Sequence, residues 1–86
     1  MGPVAEKAHL KTRLVAGENQ SYGYQVLVNG HVLIHQPTIP GQPGTEGFHT
    51  RKEARRVAAL VTYKLQHHQM PPSVSSVELD SLKIRR

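Results

Sequence analysis

Asn29-Gly30 is the pair of residues that most constrains this chain. It lies between two β-rich runs in YGYQVLVNGHVLIHQ, residues 22–36. Both central positions of a type I′ turn need positive φ, which Asn and Gly tolerate, so the spacing predicts a two-residue β-hairpin. With that loop, Val28 faces His31, Val26 faces Leu33, and Tyr24 faces His35. These six residues share one face, and Gln25, Leu27, Val32, Ile34 and Gln36 share the other. The Tyr24/Val26/Val28/Leu33 face is the expected core. A strip of Leu27, Val32 and Ile34 then needs cover of its own, such as a partner subunit.

The flanking segments add a strand and two helices. HLKTRLVA, residues 9–16, alternates, with Leu10, Thr12 and Leu14 against Lys11 and Arg13, which predicts a half-buried strand. TRKEARRVAALVTYKLQHH, residues 50–68, predicts the main helix. Thr50 and Glu53 form a capping box. Ala54, Val57, Ala58, Val61 and Leu65 make one apolar stripe, which Leu60 broadens. Pro71-Pro72 forbid continuation, so the helix ends near His67 to Gln69. A second capping box, Ser75 with Glu78, predicts a short helix over about Ser76 to Leu82, anchored by Leu79 and Leu82. The expected fold class is α+β: a two- or three-stranded antiparallel sheet packed by one main helix, plus a short C-terminal helix. Residues 1–8 read as a flexible arm and 9–86 as one small domain.

Between the last strand and the main helix runs IHQPTIPGQPGTEGF, residues 34–48. Prolines at 37, 40 and 43 limit φ and bias Gln36, Ile39 and Gln42 toward extended backbone. Glycines at 41, 44 and 47 allow turns between them. The eleven residues from Pro37 to Gly47 are therefore expected to form an ordered strap with Ile39 and Phe48 as buried pins. A loop this long inside a small domain is uncommon and often functional.

The chain has 86 residues and no cysteine, so neither a disulfide nor a thiolate metal site supports it. A domain of this size buries only about 60–65% of its unfolded surface, which makes homo-oligomerisation one expected route to stability. No segment is long and apolar enough to span a membrane.

Candidate chemistry is sparse. There are six histidines, but His31 and His35 are about 13 Å apart along a strand, and no histidine pair lies at i, i+4 on the helix. No G-x-S-x-G motif is present, and the six acids are scattered, with Glu53 and Glu78 already used as caps. GQPGTEG precedes a helix but lacks the Lys-Ser/Thr ending of a phosphate loop. No enzyme activity, metal or cofactor is expected.

The formal charge of +5 suggests an anionic partner. Arg51, Lys52, Arg55 and Arg56 crowd the first two helical turns, where cations oppose the helix dipole. Nucleic-acid binding through them is the main charged alternative to a plain solvated basic face. GFHTRKEARRVAAL is also loosely similar to the helix start of the three-stranded arm-binding domains of phage-type integrases. In those the sheet reads the DNA, whereas these strands carry few cations beyond Lys11 and Arg13.

The wider pattern is IHQPTIP, a glycine-containing spacer, GF.T, and A..VA.LV, continuing to MPPSVSSVELDSL. Over about Tyr22 to Leu82 it resembles a family of small exported proteins of Bacteroidetes-type bacteria, domain of unknown function 4907. The resemblance implies a single small domain in the periplasm or cell envelope, behind a signal or lipoprotein peptide that would lipid-anchor the precursor. It assigns no activity, cofactor or functional residue. The expected function is a non-enzymatic extracytoplasmic binding or accessory module that meets a protein or envelope component. It would use the 37–47 loop and an exposed sheet face or edge, with His35, Gln36, Thr38 and Gln42 as contacts. A rigid-loop hydrolase inhibitor presenting PTIPG is a third reading.

Overall fold

The computed structural model describes residues 9–85, so the arm expected over residues 1–8 lies outside it. Three strands form an antiparallel sheet in the order β1 (Leu10–Ala16), β2 (Tyr22–Val28) and β3 (His31–Gln36). Helix α1 (Arg51–Gln66) and the short α2 (Ser76–Ser81) follow. No described helix is long and apolar enough to cross a membrane. Asn29 and Gly30 take φ of 51° and 85°, as a type I′ turn requires.

The hairpin register departs from expectation one step past the turn. Val28 pairs with His31 and Leu27 with Val32, but Val26 then pairs with Ile34, Gln25 with His35 and Tyr24 with Gln36. Leu33 is the extra residue of a β-bulge. It is 53% exposed and does not join the core face. Ile34 takes its place beside Tyr24 and Val26, packed against the core. The leftover strip is corrected accordingly: Val32 is exposed, Leu27 is half-buried, and Ile34 has left it.

On β1, Leu10, Thr12 and Leu14 pair with Val28, Val26 and Tyr24, the alternation the sequence predicts. α1 lies on this inner face, against β1 and β2. Ala54 and Ala58 are fully buried, and their small side chains let the helix axis approach the sheet. Val57, Val61, Phe48, Leu79, Ile39 and Ile84 complete the core.

Both helices carry the predicted capping boxes, with each cap side chain accepting from the N3 amide. Both also end in a Schellman-type cap. His68 and Lys83 hold positive φ of 59° and 60°. Gln69 N–H reaches the Lys64 carbonyl at 2.8 Å, and Ile84 N–H reaches the Leu79 carbonyl at 3.0 Å. In the second cap Ile84 is buried with Leu79, the apolar contact that usually accompanies the motif.

The segment after α2 reaches back to the start of α1. Glu53, only 5% exposed, accepts at Oε1 from Thr50 N–H at 3.1 Å, and at Oε2 from Arg85 N–H at 3.0 Å and Arg85 Nε at 3.2 Å. Burial pushes the Glu53 carboxyl up. The Arg85 hydrogen bonds and charge, with Thr50, outweigh burial and hold it below the usual carboxylate range.

Candidate functional site

The strap is anchored at its base and free at its apex. Ile39 and Phe48 are buried as its pins, at 6% and 0% exposure. Phe48 exchanges both backbone hydrogen bonds with Tyr22, at 2.7 and 2.9 Å. The returning strand end thus fills the slot beside β2 that β3 vacates at Pro37. Gly23 and Gly47 are required here: a Cβ on Gly23 would meet the Gln36 carbonyl, and one on Gly47 would meet the Tyr22 and Pro37 carbonyls. Around this base, Gly47 N–H donates to Ser21 Oγ at 2.8 Å. Thr45 Oγ1 donates to Glu18 Oε1 at 2.6 Å, and Asn19 Nδ2 to Glu46 Oε2 at 2.7 Å. Gly41 and Gly44 turn the apex with φ of 76° and 97°.

Beyond the base, Pro40 and Gly41 form one lip of a half-open groove of about 350 Å³. Tyr24, Ile34, Gln36 and Val61 make its floor, and Pro72, Ser73 and Val74 the opposite wall. The groove exists because α1 packs over β1 and β2, leaving the inner face of β3 uncovered. Lys64 braces the far wall. Its Nζ donates to the Ser73 carbonyl and pairs with Glu78 Oε2 at 2.7 Å. The hydrogen bond from Lys64, with the cap contacts of Ser75, holds the Glu78 carboxyl below its ordinary range.

Tyr24 and Gln36, on the groove floor, have polar atoms with spare capacity. Tyr24 is 98% buried, its ring 6.1 Å from Phe48, yet its hydroxyl makes no hydrogen bond among the described residues. No buried side-chain N or O atom lacks a partner. The Tyr24 hydroxyl is therefore not sealed from solvent, and Tyr24 is one of the residues that line the groove. Burial of the ring pushes it up to about 12, so it stays a neutral donor and acceptor. Gln36 commits Nε2 to the Thr38 carbonyl at 2.7 Å and to Thr38 Oγ1 at 3.2 Å. Its Oε1 is left to accept. No charged side chain lines the groove.

The residues singled out in the sequence separate. Gln36 lines the groove, and Thr38 fixes it. Gln42 follows the lip and donates its N–H to the Ile39 carbonyl at 3.3 Å. His35 lies on the outer sheet face, in a row with Gln25 and Arg13. Gln25 Nε2 is 3.0 Å from His35 Nδ1, and Arg13 donates twice to Gln25 Oε1, at 2.6 and 3.0 Å. Arg51, Lys52, Arg55 and Arg56 are exposed at the far end of α1, with Arg51 about 15 Å along the axis from Val61. Arg51 sits 5.0 Å over the Tyr22 ring, and Arg56 donates to the Leu82 carbonyl at 3.3 Å. Among the described residues no group of three His, Cys, Asp or Glu side chains comes together. Ile39 is buried, so PTIPG offers a hydrolase no exposed apolar side chain at that position.

Sequence reasoning placed Tyr24 in the core and missed its place in the groove lining. It also missed Val61 and the Pro72–Val74 wall. Only the pairing of Gln36 with Tyr24, which the bulge creates, brings these groups to one face, and no local pattern announces it.

An open three-stranded sheet, one covering helix and a strapped groove define a small α+β domain. The profile of a domain of unknown function, DUF4907, matches residues 14–81, and the chain belongs to that family. No curated protein matches the chain, and no solved structure matches it.

Proposed function

We propose that this domain is a non-enzymatic binding or accessory module that acts outside the cytoplasm, with the groove between the strap and the Pro72–Val74 wall as its ligand site. The observation that carries the reading is the Tyr24 hydroxyl, unpaired on a residue that lines a groove of mainly apolar side chains. A polar group in an apolar pocket orients a ligand and sets its specificity. Titration with isobutyramide, a neutral amide on a branched apolar group, tests it. Amide shifts clustered on Tyr24, Ile34, Gln36, Val61 and Val74 are expected, and absent or scattered shifts contradict it. The bacterial envelope location rests on the family resemblance. Recovery of the full-length precursor in the envelope fraction supports it, and recovery in the cytosol opposes it.

A second reading, nucleic-acid binding through Arg51, Lys52, Arg55 and Arg56, draws on one further observation. The segment carrying Lys83 and Arg85 lies against the same end of α1, and Lys52 and Arg55 have no partner among the described residues. Labelled DNA and RNA titrated at two salt concentrations test this. Binding that weakens with salt and with charge reversal at Lys52 and Arg55 supports it, and no binding at low salt rules it out.

A further inference from the structure

The groove runs beside the free edge of β3. That strand is last in the sheet order, and its outer side pairs with no described segment. The edge is also short and bounded. The bulge at Leu33 breaks the ladder on one side, and Pro37, which has no N–H, ends it on the other. Backbone groups alternate along a strand: the Gln36 carbonyl lies against Gly23 of β2, as the pairing of Gln36 with Tyr24 requires, which leaves the His35 N–H and C=O open to an added strand. Ile34 and Gln36 point their side chains into the groove, and His35 points to the outer face.

We infer that the ligand is an uncharged, extended peptide segment that adds as a fourth strand along Ile34–Gln36 and places an apolar side chain in the groove. The inference rests on the binding reading above and names its ligand class. Strand addition draws affinity from main-chain hydrogen bonds and specificity from pockets for alternate side chains. An amide next to that side chain has an acceptor for the Tyr24 hydroxyl and a donor for Gln36 Oε1. A charged side chain would be desolvated there with no opposite charge among the lining residues. A sugar finds no stacking platform, because the one aromatic ring in the lining is 98% buried against Phe48.

The test uses acetylated, amidated pentapeptides with Thr at the outward positions and Ala, Val, Leu, Ile, Met or Phe varied at the inward ones. Isobutyramide serves as the control that fills the groove without a strand. Slower hydrogen exchange at the outward-facing amide of His35 is expected for the best peptide. N-methylation of its edge-facing amides should weaken binding at least about tenfold, and Tyr24→Phe should weaken it about tenfold, the size of one well-made hydrogen bond. A peptide that shifts groove resonances without protecting β3, or one whose N-methylated form binds equally, overturns strand addition and leaves the groove reading intact. Binding of isobutyramide with no peptide binding does the same. If neither probe shifts the groove, both readings fall.

Discussion

Over β1 and β2 the inner face of the sheet is closed by α1, whereas over β3 the same face stays open. In the closed half, Ala54, Val57 and Ala58 meet Tyr24, Val26 and Phe48 with almost no exposed surface. In the open half, Ile34 and Gln36 remain half-buried beneath a groove bounded by two proline-bearing segments. Tyr24 straddles the two, its ring in the closed half and its hydroxyl in the open one. The contrast separates the side chains that hold the fold from those free to meet a ligand. It also shows why stiff walls suit the open half. Proline lip and proline wall have little entropy left to lose when a ligand arrives.

The largest expected effect lies in the closed half. Phe48→Ala removes a fully buried ring and should cost about 3–5 kcal/mol, enough to unfold much of a domain this small. Ile34→Ala, at the open edge, should cost no more than about 2 kcal/mol. Urea denaturation of both variants breaks the comparison if the two losses are equal.

Next in size is the tie between α1 and the segment after α2. Glu53→Gln weakens charge-assisted bonds to Arg85 and should cost about 2 kcal/mol near neutral pH. The folded Glu53 carboxyl sits below its ordinary value, so its stabilisation is present above about pH 4.5 and is lost as pH falls through the folded value. The gap between wild type and Glu53→Gln should therefore narrow in acid, and a gap independent of pH would mean that the Arg85 contact contributes nothing. Glu78 follows the same sign, and its protonation should loosen the wall that Lys64 braces.

Smaller still is the αL position after α1. His68→Gly relieves a side chain held at φ 59° and should stabilise the domain by about 0.5–1 kcal/mol, read from the urea midpoint. The smallest effect is at the boundary between the halves. Tyr24→Phe removes a hydroxyl with no partner, so stability should change by less than about 0.5 kcal/mol. An ultraviolet titration of the wild type should show a tyrosine ionising near pH 12, and the same variant should lose it. A larger stability loss would mean that the hydroxyl belongs to the closed half.

These halves were unequally legible in the sequence. The turn at Asn29-Gly30, both capping boxes and the apolar stripe of α1 are local patterns, and the structure contains each one. Ile39 and Phe48 were legible as pins because, prolines aside, they are the only large apolar side chains from Pro37 to Phe48. The bulge was not, because Leu33 and Ile34 are equally apolar neighbours and only packing against the assembled core selects between them. Ile84 and Arg85 were missed for a related reason: their partners, Leu79 across the helix cap and Glu53 thirty-two residues away, exist only after folding. The groove is the least legible feature, since it depends on where α1 crosses the sheet. Of the candidate site residues, Gln36 lines it and is held by Thr38, while His35 and the four cations of α1 lie elsewhere.

The central claim is that the Tyr24 hydroxyl is a ligand group on the floor of the open half. Protein carrying 13C at tyrosine Cζ, titrated with isobutyramide, tests it most directly, because each tyrosine reports its own hydroxyl. The Tyr24 resonance should move and saturate while those of Tyr22 and Tyr63 stay in place, and Tyr24→Phe should abolish the saturable response. A Tyr24 resonance that stays fixed, or three resonances that drift together, would contradict the claim.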